Sequence, residues 1–146
     1  MKTGIVVSII CPYPIAAVGF LTILKGYTDN IINYHSAADF VKSYGNDNSH
    51  SDIIIIDSTI GILMVEMIIV QMTQKWPDIN ILIVASGSDK FSSKSFLNPR
   101  VKSIVSLSAS QREILHAISQ VVANDYYFSA DVQYKLLQGT LSRKKY

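Results

Sequence analysis

The sequence contains a single cysteine and few charged residues for its length. Cys11 is the only cysteine among 146 residues, so no disulfide framework can form within the chain, and we expect a cytoplasmic rather than a secreted protein. Charged residues make up 16% of the chain, and thirteen basic against eleven acidic residues give a formal net charge of +2. This balance does not indicate nucleic-acid binding, because only a clustered basic face would do so.

The sequence also lacks the common motifs of catalysis and of cofactor binding. No glycine-rich phosphate loop follows the first predicted strand, where the stretch CPYP (11–14) places prolines at positions that would need backbone donors. The histidines His35, His50 and His116 have no metal-ligand spacing. We therefore expect no enzyme, no cofactor and no metal site.

One uncharged stretch approaches the length of a membrane helix. Residues 4–24 contain no charged side chain, and a membrane-spanning helix needs about 20 apolar residues. Pro12 and Pro14 lie in the middle of this stretch, and two prolines so close together would break a helix. The stretch is better interpreted as a strand, a turn and a helix, and we expect no membrane association.

Short apolar runs alternate with segments of helical length along the chain. Several runs are apolar at every position, as in strands that are buried on both faces of a parallel sheet. The alternation predicts an α/β doubly wound domain with five parallel strands and a short extra helix at the C-terminus. The polar, serine-rich stretch 89–99 predicts a fourth helix that is short or mobile. The predicted strands are 4–10, 30–35, 52–57, 79–86 and 101–108, and the other helices are 15–26, 36–45, 62–76, 110–122 and one from Ser129 to a break at Gly139. Ser110 and Glu113 are predicted to form a capping box at the start of the helix 110–122, and Ser129 is the predicted N-cap of the last helix.

One carboxylate ends the most apolar strand. Asp57 follows four isoleucines in the stretch SDIIIIDSTIG (51–61), and ligand sites in open parallel sheets lie at the carboxyl ends of strands. The alternative is a turn aspartate that accepts hydrogen bonds from the backbone of Ser58 and Thr59. Cys11, at the end of the first strand, is predicted to be a small buried residue rather than a reactive thiol.

The order of these elements, together with three segments, resembles the receiver domain of bacterial response regulators. The segments are SDIIIIDSTIG (51–61), WPDINILIVASGSD (76–89) and the long stretch from VKSIVSLS to YYFSADV (101–132). The last one is most similar to receivers of LuxR/NarL-type transcription regulators. The resemblance implies a flavodoxin/CheY-like (βα)5 domain over 1–128. Residues 129–146 would then be a helix and basic linker towards a helix-turn-helix domain, which this chain does not contain.

The resemblance also implies roles for individual residues. Asp57 falls on the phospho-accepting aspartate. Cys11 and Pro12 fall on the acidic pair that holds Mg²⁺ in the family, and neither supplies a carboxylate. Ala85 falls on the hydroxyl residue that ends the fourth strand, and Leu107 falls on the lysine of the fifth strand. The expected phosphorylation site therefore lacks its cation ligands and its fixed ammonium group.

Of two nearby polar residues, only the first could compensate for these losses. Ser86 follows Ala85 and would restore a hydroxyl if the alignment slipped by one residue. Lys102 lies five residues before Leu107, on the opposite face of the predicted strand, and is too distant to replace the lysine.

This pattern predicts a pseudo-receiver, a phosphorylation-independent regulatory and dimerisation domain of a LuxR/NarL-type regulator. Two alternatives remain open. The domain could still be phosphorylated on Asp57 in a two-component system, or it could be a small-molecule-sensing flavodoxin-like domain.

The predicted dimer uses apolar residues on the outer side of the first helix together with an edge of the helix at 110–122. The partner would be a second copy or a related response regulator, and DNA would be contacted only through a helix-turn-helix domain outside this chain. The predicted interface residues are Ala17, Val18, Leu21, Arg112, His116 and Gln120.

Overall fold

The computed structural model describes residues 3–46, 51–86 and 98–144. Six strands in this part of the chain form one sheet in the order β2-β1-β3-β4-β5-β6, and every neighbouring pair is parallel. The strands are β1 (Thr3–Ile10), β2 (Thr28–Tyr34), β3 (Ile53–Asp57), β4 (Asn80–Ala85), β5 (Val101–Ser106) and β6 (Tyr127–Phe128). The helices are α1 (Pro14–Leu24), α2 (Ala37–Asn46), α3 (Ile62–Lys75), α4 (Gln111–Val122) and α5 (Ala130–Lys144), with a 3₁₀ turn at Ser58–Ile60.

Helices cover both faces of the sheet, and the isoleucines of β3 separate two core clusters. Ile54 and Ile56 pack in the cluster under α2, α3 and α5, whereas Ile53 and Ile55 pack in the cluster under α1 and α4. Successive side chains of a strand point to opposite faces, so a strand covered on both faces must be apolar throughout. The predicted doubly wound α/β architecture is confirmed.

The described sheet has one more strand than predicted. Tyr127–Phe128 forms the short strand β6 beside β5. The strand β5 also ends two residues earlier than predicted, because the chain turns: the Ser106 hydroxyl accepts from the Ser108 N–H at 3.2 Å, and the Ser106 carbonyl accepts from the Ala109 N–H at 2.9 Å. Leu107 therefore lies beyond the strand.

The structure contradicts one helix prediction and does not describe the segment of another. The C-terminal helix was predicted to break at Gly139, and this is wrong, because α5 continues to Lys144. A glycine inside a helix costs only about 1 kcal/mol relative to alanine. The predicted fourth helix, at 89–99, falls almost wholly outside the described residues.

The uncharged stretch 4–24 is divided between β1 and α1, with Pro14 as the first residue of the helix. Within the described ranges, no helix has both the length and the hydropathy needed to cross a bilayer.

Candidate functional site

Asp57 ends β3 at the carboxyl edge of the sheet and is only 2% exposed. Its Oδ1 atom accepts from the Thr59 N–H at 3.0 Å and from the Thr59 hydroxyl at 2.7 Å. Its Oδ2 atom accepts from the Cys11 thiol at 3.5 Å. Both carboxylate oxygens thus have donors from the protein, and the interaction with Thr59 is the one expected of a turn aspartate.

Cys11 follows β1 and lies in the core with no exposed surface. Burial is the main cause that raises the pKa of its thiol above the usual value of 9.0, and the charge of Asp57 raises this pKa further. A thiol in such surroundings stays protonated at neutral pH and is a poor nucleophile. Its one hydrogen has two acceptors within reach, the Asp57 carboxylate and the Tyr13 carbonyl, whose oxygen lies 3.6 Å from the sulfur.

The turn after β3 fixes this arrangement. Gly61 is the N-cap residue just before α3 and has φ +107°, a conformation that residues with a side chain rarely adopt. The hydroxyl of Ser58 accepts from the backbone N–H of Ser86 at 3.3 Å and joins the turn to the end of β4. Ala85 is buried in the core, whereas Ser86 is partly exposed.

The position matched to the family's lysine carries an apolar side chain that faces solvent. Leu107 is 50% exposed, and its N–H donates to the Ala85 carbonyl at 2.8 Å. Lys102, near the amino end of β5, is buried, and its Nζ lies 4.1 Å from the centre of the Tyr126 ring. This cation–π contact holds the ammonium group at the other end of the strand.

The residues around Asp57 do not fit the Mg²⁺ ion that the resemblance implies. Mg²⁺ prefers oxygen ligands in octahedral geometry, whereas Cys11 presents a protonated sulfur and Pro12 has no side-chain ligand atom. No group of three histidine, cysteine or acidic residues suited to a metal ion occurs in the described part of the chain.

The predicted surface of α1 is only partly correct. Val18 is 62% exposed and Leu21 is half-buried, but Ala17 is only 3% exposed and packs in the core. Including Ala17 in an interface was therefore wrong. Ile15, which was not predicted, is 90% exposed and shares the outer side of the helix with Val18.

The predicted edge of α4 lies beside the last strand of the sheet. Arg112 and His116 are exposed and Gln120 is half-buried. The ring of His116 meets the Tyr127 ring edge-on, with the ring centres 5.1 Å apart. This edge of α4 therefore lies beside β6, and α4 is also in contact with α1.

A second polar cluster, which the sequence did not predict, surrounds the buried Ser129. Its hydroxyl donates to Glu113 at 2.5 Å and accepts from the Ser106 N–H at 3.0 Å. The Ser129 N–H donates to the Ile104 carbonyl at 3.1 Å. Burial is the main cause that raises the pKa of Tyr127, and the charge of Glu113 raises it further.

The capping predictions for α4 and α5 missed this cluster. Ser110 accepts from the Glu113 N–H at 3.2 Å, as predicted for the start of α4. The carboxylate of Glu113, however, bonds to Ser129, a residue 16 positions away. The Ser129 hydroxyl, predicted as an N-cap, is engaged by Glu113 and by Ser106.

Comparisons with known proteins give structural matches only. No protein-family model matches the sequence, and no curated protein matches it either. The isolated receiver domain of RcsB from Salmonella enterica serovar Typhimurium with the phosphate mimic BeF3⁻ superposes with a TM-score of 0.74 at 13% identity, over 92% of this chain and 99% of that chain.

Two further structures are similar. A LuxR family DNA-binding response regulator from Silicibacter pomeroyi has a TM-score of 0.66 at 15% identity, over 86% of this chain and 96% of that chain. RcsB bound to a promoter has a TM-score of 0.74 at 13% identity, over 92% of this chain and 67% of that chain. The chain thus has the fold of receiver domains of LuxR-type response regulators.

Proposed function

We propose that this chain is a receiver-like regulatory domain that works in LuxR/NarL-type transcription control without being phosphorylated. The fold supports a regulatory rather than an enzymatic role. The surroundings of Asp57 support independence from phosphate.

The observation that carries the proposal is the hydrogen bonding of Asp57. An aspartate that accepts a phosphoryl group needs a free oxygen to attack phosphorus and a cation to neutralise the charge that develops. Here Thr59 engages one oxygen and the Cys11 thiol engages the other. The thiol keeps its proton and offers no positive charge.

The environment at the end of β5 supports the same proposal. An exposed leucine at position 107 offers no fixed ammonium group to a phosphorylated aspartate. Among the described residues around Asp57, no side chain would supply a cation site or an ammonium group, so a phosphoryl group there would gain little stabilisation from them.

We further propose that the domain acts by pairing, and that the outer side of α1 carries the contact. The helix Pro14–Leu24 contains no charged residue, and it exposes Ile15 and Val18. A two-fold interface places each surface against its own copy, so an uncharged apolar surface can pair with itself without opposing like charges. Exposed apolar surface of this kind marks protein contacts.

The first experiment tests phosphorylation. Residues 1–146 are incubated with acetyl phosphate and Mg²⁺, and the intact mass is measured. We expect no phosphoryl adduct. A stoichiometric adduct that is lost in Asp57→Asn would contradict the proposal and would favour a receiver with a degenerate but active site.

The second experiment tests pairing by sedimentation velocity. We expect a dimer that Val18→Glu converts to a folded monomer, because each dimer would bury two added charges. Leu63→Glu is the matched control, since Leu63 is an exposed apolar residue, 80% accessible, on α3. A Val18→Glu variant that stays dimeric, or a wild-type chain that is monomeric, would contradict self-pairing. A monomer that binds a related response regulator would favour a heterodimer.

Pairing of this kind requires no DNA contact from residues 1–146. RcsB is described as forming dimers bound to DNA. For this chain, we expect a mobility-shift assay at physiological salt to show no preference for promoter fragments over random DNA.

A further inference from the structure

A cavity of about 380 Å³ opens at the carboxyl edge of the sheet, next to the Asp57 cluster. It lies between the chain that follows β1, the start of α2 and the turn that follows β3. Its volume falls within the range of about 300–1,000 Å³ that is typical of small-molecule sites. The residues that line it are Pro12, Tyr13, His35, Ser36, Ala37, Ala38, Thr59, Ile60 and Met64.

The position of the cavity is one where α/β proteins bind ligands. Strand order reverses between β1 and β3, which are neighbours in the sheet. Of the helices that follow these strands, α1 packs on one face and α3 on the other. The loops therefore diverge and leave a crevice, and ligands of open α/β sheets bind in such crevices.

The lining is mostly apolar and contains no acidic, lysine or arginine side chain. Tyr13, Ile60 and Met64 offer ring and aliphatic surfaces to a flat apolar body. A ligand of high charge would find no charged side chain of opposite sign here.

The polar atoms that remain favour a ligand with an oxygen acceptor. The Ser36 oxygen accepts from the Asp39 N–H at 3.0 Å, which leaves the Ser36 hydroxyl hydrogen available as a donor. His35, which is exposed at the rim, can donate a second hydrogen bond. The Thr59 hydroxyl hydrogen is already directed to Asp57 at 2.7 Å.

We propose that this cavity binds a small, flat, largely apolar molecule of one or two rings that carries a carbonyl or carboxylate oxygen. Thr59 lines the cavity and donates to Asp57. A bound molecule would therefore contact the Asp57 cluster, which occupies the position that is phosphorylated in receiver domains. The proposal is independent of pairing, because α1 contributes none of its outward side chains to the cavity.

The test uses 6-propionyl-2-(dimethylamino)naphthalene, a fluorescent two-ring probe with one carbonyl oxygen, and the folded chain. We expect the wild-type chain to bind one probe molecule saturably. Ala38→Trp should abolish this binding, because the indole ring fills the cavity. Ala123→Trp, at an exposed alanine after α4, is the matched control and should bind normally. Circular dichroism checks that each variant folds. If Ala38→Trp does not fold, Met64→Ala takes its place, because this change removes part of the apolar lining and should weaken binding.

A competition experiment identifies the polar group. We expect 2-acetylnaphthalene to displace the probe about tenfold more effectively than 2-ethylnaphthalene, an uncharged compound of similar size without the oxygen, which is the gain of roughly one hydrogen bond. Equal displacement by the two compounds would overturn the assignment of an oxygen acceptor. Absence of saturable binding, or equal binding by wild type and Ala38→Trp, would overturn the site itself.

Discussion

The polar clusters around Asp57 and Ser129 share the same chemistry but connect different parts of the fold. In each cluster, a carboxylate lies beside a weak acid: Asp57 beside the thiol of Cys11, and Glu113 beside the phenol of Tyr127. The pKa of each weak acid is raised, first by burial and then by the carboxylate. Both weak acids are therefore neutral at physiological pH.

The difference lies in what each carboxylate holds together. Asp57 is bonded by its own turn and by the end of the neighbouring strand β1. Glu113 lies on α4 and bonds Ser129, which in turn accepts from the end of β5 and precedes α5. The Asp57 cluster shields a carboxylate, whereas the Glu113 cluster fastens the C-terminal helix to the domain.

The largest effect on stability should come from Ser129. Ser129→Ala leaves the Ser106 N–H and the Glu113 carboxylate without this partner, and we expect the free energy of unfolding to fall by about 2–3 kcal/mol. Urea denaturation measures this free energy of unfolding. Ser119→Ala, at an exposed serine on α4, should cost less than about 0.5 kcal/mol. Equal losses in the two variants would show that the Ser129 cluster adds no special stability.

Asp57→Asn should have a smaller effect. The amide oxygen can still accept from Thr59, and the buried negative charge is removed, so we expect a change of less than about 1 kcal/mol in the free energy of unfolding. Asp78→Asn, at an exposed aspartate, is the control. A loss as large as that of Ser129→Ala would remove the contrast between the two clusters.

A still smaller effect should appear at alkaline pH. The pKa of Tyr127 is raised above its usual value of 10.0 in the folded chain, so the folded state holds this proton more tightly than the unfolded state does. The resulting stabilisation is complete below pH 10 and is lost as pH rises through the folded pKa. Tyr127→Phe should therefore flatten the alkaline fall of the free energy of unfolding. Parallel wild-type and variant curves would contradict this.

The smallest effect concerns the reactivity of Cys11. Burial and a raised pKa keep its thiolate fraction low, so iodoacetamide should alkylate the folded chain at pH 8 much more slowly than the chain unfolded in urea. Asp57→Asn should accelerate the folded-state reaction only slightly, because burial is the larger cause of the shift. A large acceleration would make the Asp57 charge the dominant cause.

The fold could be predicted because its signals are local. Four isoleucines before Asp57 indicate a strand buried on both faces, and Ser36 caps α2 through the Asp39 N–H as its sequence suggests. The outer side of α1 could not be assigned in the same way. Its residues are nearly all apolar, so hydrophobic periodicity does not distinguish exposed Ile15 from buried Ala17.

In the candidate site, too, interactions between neighbouring residues could be predicted and those between distant residues could not. Asp57 at a strand end and its bond from Thr59 follow from neighbouring residues. The contact between Cys11 and Asp57 spans 46 positions, and the bond between Ser129 and Glu113 spans 16. Such pairs are set by how strands and helices pack, and no local pattern of the sequence encodes them.

The uninterrupted helix α5 has a mechanical consequence. Its 15 residues extend about 22 Å at 1.5 Å per residue, and its first turns are held by Ser129 and by the buried side chain of Val132. A rod of this length magnifies movement at its fixed end, so each degree of tilt displaces Lys144 by about 0.4 Å. A tilt of about 5° at the Glu113 cluster would carry the last turn of the helix through about 2 Å.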